Sequence, residues 1–153
     1  MADLNVATNP EVLTTLGLGS CVGVCLYDSI NKIAGMAHIM LPYSVQSKAD
    51  YNPAKYADTG IALLIDQMEK KGAFRSRLTA KLAGGAQMFN FKKENDIIKI
   101  GLKNTQACKE LLAQYNIRIL AEDTGGNYGR TIELYSADGK LLIKTIGSGI
   151  KQL

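Results

Sequence analysis

With 153 residues, 46% of them hydrophobic and 21% charged, the chain has material for one buried core and too few charges for a disordered segment. The formal net charge of +4 is mild, which suits an acidic protein surface and argues against nucleic acid as the partner. No run approaches the roughly 18 apolar residues of a membrane helix, and residues 1–10 lack the basic-then-apolar order of a secretory leader, so a cytoplasmic single domain over residues 1–153, without membrane insertion, is expected.

Along the chain, a polar leader precedes a short strand at 11–16. Gly17 and Gly19 then alternate with leucines in a turn, where glycine lets the backbone reach positive φ and approach other groups closely. Residues 20–28 read as a strand whose period of two puts Cys21, Gly23, Cys25 and Tyr27 on one face and Val22, Val24 and Leu26 on the other. A turn at 28–31 leads to a strand at 32–41, ended by Pro42, with Ala34, Met36, His38 and Met40 on one face. A hairpin is the economical connection between these two strands. Residues 43–53 form a polar loop, long enough for a lid or a surface excursion.

Ile61, Leu64, Ile65 and Met68 recur at helical spacing and predict a helix over 58–71, stopped by Gly72. Lys70, Lys71, Arg75 and Arg77 read as its solvated end rather than a nucleic-acid surface, since Phe74 alone falls among them and no repeated aromatic interleaving accompanies them. Residues 78–83 form a strand running into Gly84-Gly85-Ala86, and 92–96 are charged and exposed. Cys108, Leu111, Leu112 and Tyr115 predict a second helix over 101–115 with Cys108 in the core. A strand at 117–122 precedes a third glycine loop at 123–127, and strands at 130–135 and 140–146 flank a hairpin turn at 137–139. The tail after Gly149 is weakly specified. The fold class is α+β: a layered sandwich of mixed or antiparallel sheets with two main helices packed outside.

The chain has three cysteines and one histidine, at spacings that fit no usual zinc framework, and an odd number of thiols in an intracellular setting argues against a disulfide scaffold. Gly17-x-Gly19 lacks the third glycine of a dinucleotide turn, and no Gly-Lys-Ser/Thr follows to cradle a phosphate. No metal or cofactor is expected. Cys21 has two readings: a small buried hydrophobe, or a nucleophile presented by a glycine turn among free backbone N–H groups. A Cys nucleophile needs a base, and His38, the sole imidazole, stands 17 residues later on the neighbouring strand. Hairpin register alone leaves open whether it lies opposite Tyr27 or elsewhere.

Five blocks in order, Leu16-Gly-Leu-Gly-Ser-Cys-Val-Gly-Val-Cys, Met36-Ala-His-Ile-Met-Leu-Pro42, Lys55-Tyr-Ala-Asp58, Ala83-Gly-Gly-Ala86 and Ala121-Glu-Asp-Thr-Gly-Gly-Asn127, resemble the CheD family of bacterial and archaeal chemotaxis proteins. The resemblance runs from about Thr14 to Gly147. It implies a glutamine deamidase that converts chemoreceptor glutamines to glutamates through a cysteine thioester. Cys21 would be the nucleophile and His38 the base. Thr15 matches the residue that orients the histidine, although adjacent Thr14 offers a second hydroxyl. Backbone N–H groups of the turn at Gly19 and Ser20 would receive the oxyanion. It also implies docking to receptor cytoplasmic helices and to the phosphatase CheC, so a non-catalytic interaction protein is the alternative.

Overall fold

The near-continuous small and apolar runs at Val22–Asp28 and Ile33–Ile39 form strands β3 and β4, and such runs fit strands buried on both faces. In the computed structural model, which describes residues 3–44, 51–88 and 99–153, they form the expected antiparallel hairpin at the centre of the larger sheet. Asp28 closes the turn by accepting from the N–H groups of Ile30 and Asn31 at 3.0 and 3.1 Å.

The described residues form β1 (Leu4–Thr8), β2 (Val12–Leu18), β3, β4, α1 (Ala57–Lys70), β5 (Thr79–Gly84), α2 (Ile100–Gln114), β6 (Arg118–Thr124), β7 (Arg130–Tyr135), β8 (Leu141–Thr145) and β9 (Gly149–Gln152). A five-stranded sheet has the order β1-β4-β3-β5-β6, antiparallel except for the β5–β6 pair, and a four-stranded sheet has the order β2-β7-β8-β9. A parallel pair needs a crossover, and α2 lies in that connection. The α+β layered sandwich with its two helices outside is thus borne out.

Two apolar clusters lie on opposite faces of the five-stranded sheet. Val22, Val24, Leu26, Ala37 and Ile39 pack with Ile61, Leu64, Ile65 and Met68 of α1 and with Ala107, Cys108 and Leu112 of α2. Cys25, Ala34 and Met36 face the other way, onto Leu13, Leu18, Ile132, Leu134, Leu141 and Ile143 of the smaller sheet. The period of two in β3 and β4 therefore sorts residues between a helix-facing and a sheet-facing core. Gly35 lets α1 approach: a Cβ there would lie 2.9 Å from Leu64 Cδ1.

Two strands escape the sequence pattern. β1 falls in the stretch read as a polar leader, because an edge strand with only Ala7 fully buried carries little alternation. β9 is exposed at every residue and is held by backbone pairing with β8 and an ion pair of Lys151 with Asp123 at 3.3 Å, which leaves no hydrophobic signal. The basic residues after α1 are solvated as expected: Lys70 pairs with Asp66 at 2.8 Å, Arg75 with Glu69 at 3.1 Å, and Arg77 lies over the exposed Phe74 ring. Most of the polar loop at 43–53 and the charged stretch at 92–96 lie outside the described residues.

Candidate active site

Between Leu18 and Val22 the chain leaves the four-stranded sheet and enters the five-stranded one. Just before it, within the irregularity of the β2–β7 pairing between Thr15 and Leu18, Gly17 adopts φ +67°, a conformation that side chains with a Cβ disfavour. Leu18 is fully buried as a plug between the sheets, whereas Gly19, Ser20 and Cys21 remain partly accessible. Three carbonyls of this turn are pinned in succession. Ala86 N–H donates to Gly19 C=O at 2.8 Å, Asn104 Nδ2 to Ser20 C=O at 3.0 Å, and Gly85 N–H to Cys21 C=O at 2.8 Å.

The second glycine loop can lie this close because Gly84, at φ +106°, has no Cβ to meet the Cys21 carbonyl oxygen. The third loop supports the second: Gly125 N–H donates to Gly84 C=O at 2.9 Å, and Gln87 N–H to Gly126 C=O at 2.8 Å. The three glycine motifs, far apart in sequence, thus stack at one end of the sandwich.

His38 lies on β4, only 3% exposed, with Gly23 as its direct cross-strand partner. The alternative register, opposite Tyr27, is not taken, since Tyr27 pairs with Ala34. Cys21 precedes Gly23 by two residues, just before β3 begins, and packs with the sheet-facing cluster, on the side of the sheet that His38 also faces. Gly23 puts no side chain between them. A Cβ on Gly23 would meet Ile132 Cδ1 at 2.6 Å and Leu18 Cδ1 at 3.1 Å. Gly23→Ala is therefore expected to destabilise the fold by about 1–3 kcal/mol through overpacking, read as a lower urea midpoint at unchanged slope.

Thr15 reaches His38 from the other sheet, with Oγ1 2.8 Å from Nδ1. Thr14 pairs with Glu133 and is exposed, so Thr15 is the hydroxyl on the imidazole. The other ring nitrogen, Nε2, is buried without a hydrogen-bond partner. Burial pushes the His38 imidazole below its usual value, so it is neutral at pH 7, and burial pushes the Cys21 thiol up, so it rests protonated. Cys25 and Cys108 are deeper still, both pushed up to about 12 by burial, and all three cysteines are free thiols. An open cleft of about 510 Å³ between β1 and β2 leads to His38, lined also by Asp3, Val12, Thr15, Leu16 and Met36.

The turn is not uniformly available as a donor. Gly19 N–H bonds to Gly17 C=O at 3.0 Å, so that group is already engaged. Asn104 was not picked out by the sequence reading, though its signal was present: the apolar repeat of α2, carried back one turn from Cys108, falls on this polar, fully buried residue. Among the described residues, no group of three or more His, Cys, Asp and Glu side chains is placed to hold a metal ion, and no helix is long and apolar enough to cross a membrane.

A family model described as CheD chemotactic sensory transduction matches residues 40–145. The chain is 59% identical, over its whole length and 94% of the relative's, to the probable chemoreceptor glutamine deamidase CheD of Caldanaerobacter subterraneus subsp. tengcongensis. The chain belongs to the CheD family. Similarity at the same level extends to the chemoreceptor glutamine deamidase CheD of Halalkalibacterium halodurans, at 53% identity over all of this chain and 95% of that one. It extends also to the probable chemoreceptor glutamine deamidase CheD of Syntrophomonas wolfei, at 57% over 97% of this chain and 92% of that one. These CheD matches run across the segment that carries Thr15, Cys21 and His38, which lies upstream of the family-model match. Among solved structures, the Bacillus licheniformis hypothetical protein YfiH shares the fold at a TM-score of 0.50 and 15% identity, over 82% of this chain and 51% of that one.

Proposed function

We propose that this CheD-family chain deamidates glutamine side chains of chemoreceptors, with Cys21 as nucleophile, His38 as base and acid, and Thr15 as the orienting hydroxyl. The observation that carries the reading is the 2.8 Å contact between Thr15 Oγ1 and His38 Nδ1, which leaves the buried Nε2 unpaired on the face that Cys21 shares. With Nδ1–H donating to Thr15, Nε2 keeps a lone pair that can accept the Cys21 proton. A purely structural histidine would have both nitrogens satisfied. Full-length similarity to relatives named chemoreceptor glutamine deamidase supplies the substrate class.

In the proposed cycle His38 takes the thiol proton as sulfur attacks the carboxamide carbon. The N–H groups of Ser20 and Cys21 receive the developing oxyanion, since that of Gly19 is engaged. The imidazolium returns its proton to the amide nitrogen, ammonia leaves and a thioester remains. Water then attacks with His38 as base, and glutamate and the free thiol result. The site would work in the cytoplasm on receptor helices. Docking to CheC belongs to the same proposal and is checked by co-purification of CheC with wild-type and Cys21→Ala chains alike.

Incubated with a receptor cytoplasmic fragment, the chain is expected to release ammonia and to raise the fragment mass by the difference between OH and NH2 at each modified glutamine. Unchanged mass with retained binding would support the interaction-protein alternative. Because His38 sits below its usual 6.5 and must be neutral to act, kcat/KM should rise with pH through a single ionisation below 6.5 and stay level from there to pH 8. An acid limb centred above 6.5 would rule out a buried neutral imidazole as the base.

A further inference from the structure

The side chain of Asn104 is fully buried on α2, and its amide nitrogen donates to Ser20 C=O at 3.0 Å and Met40 C=O at 2.9 Å. Both neighbours are acceptors, so the NH2 group must face them, and Oδ1 is left buried without a partner. An apolar residue of similar size would avoid that orphaned oxygen. The two donated bonds are what a leucine could not supply.

We infer that Asn104 is a positioning residue for the deamidation site: by holding the Ser20 carbonyl toward α2 it turns the Cys21 N–H to the opposite side, into the oxyanion position. The inference rests on the reading of Cys21 as nucleophile. In a trans peptide the C=O and the following N–H lie in one plane and point in opposite directions. Pinning the Ser20 carbonyl therefore fixes the aim of the Cys21 N–H, and pinning the Gly19 carbonyl by Ala86 N–H fixes that of Ser20.

The layers agree with this geometry. Residues of α2 pack with Val22 and Val24 on one face of the sheet, while Cys21 packs with Cys25, Ala83 and Ile132 on the other. A carbonyl drawn toward Asn104 thus leaves its partner N–H on the side of the thiol. The second bond of Asn104, to Met40, ties the same amide to the end of the strand that carries His38.

The test compares two reactions at Cys21. Acylation by p-nitrophenyl acetate passes through a tetrahedral oxyanion, and alkylation by iodoacetamide does not. In Asn104→Leu, acylation is expected to fall by about 10²–10³, the usual effect of losing an oxyanion donor, while alkylation stays within about twofold. A role confined to folding or to placing the sulfur would lower both rates together, and that parallel loss would overturn the inference, as would unchanged acylation. Wild-type Cys21 that resists acylation altogether would overturn it as well.

If the leucine variant fails to fold, Asn104→Ser carries the same comparison. Its shorter hydroxyl cannot span both carbonyls, so a selective loss of acylation in the same direction is expected. Wild-type protein that acylates normally yet releases no ammonia from receptor fragments would sink the receptor reading and leave the role of Asn104 standing.

Discussion

Cys21→Ala is expected to abolish deamidation while leaving receptor binding intact. In the proposed cycle the Cys21 sulfur forms the acyl intermediate, and its loss removes that covalent route, a fall on the order of 10⁴–10⁶ in kcat. The fold should tolerate the change. Cys21 is only partly buried, alanine still fits against Cys25 and Ala83, and the three pinned carbonyls of the turn are backbone groups untouched by the substitution. Cys25 cannot take over, because burial holds its thiol near 12 and leaves almost no thiolate at neutral pH. The measurement is mass spectrometry of a receptor fragment beside a binding titration. A variant that still converts glutamine would place the nucleophile elsewhere.

His38→Ala should cost about 10²–10⁴ in kcat, the range over which general acid–base catalysis operates. His38 is the only imidazole in the chain, and both halves of the proposed cycle route a proton through Nε2. Loss of a buried ring also leaves space, so thermal unfolding must be followed in parallel, and His38→Gln serves as the fuller-volume control. Both variants should lose activity even where the melting temperature is kept. At high pH, where more of the Cys21 thiol ionises unaided, the deficit should narrow in the attack step, because the base is then less needed. A pH-independent deficit in single-turnover acylation would count against His38 as the proton acceptor.

The central hairpin, both helices and the shared face of Cys21 and Cys25 were legible in the sequence, because each rests on a local periodicity. The pairing of His38 with Gly23 was not, since strand register depends on how the turn at 28–31 closes. The choice between Thr14 and Thr15 was less accessible still. It is decided by the pairing of β2 with β7, a partner more than a hundred residues away, which turns Thr14 outward beside Glu133. Asn104 shows a different limit. Its place on the helix follows from the repeat, but the two carbonyls it meets belong to residues 20 and 40, and nothing local to α2 announces them.

The resting protonation of Cys21 bears on how the protein withstands oxidants. Peroxides and disulfides react with thiolate, and a thiol held protonated by burial offers them little of it. The two deeper cysteines are shielded further, and the three sulfurs stay unlinked as free thiols. In the proposed cycle the thiolate forms as the imidazole withdraws the proton during attack on a bound carboxamide. A thiol held protonated in this way is expected to stay reduced between encounters with substrate.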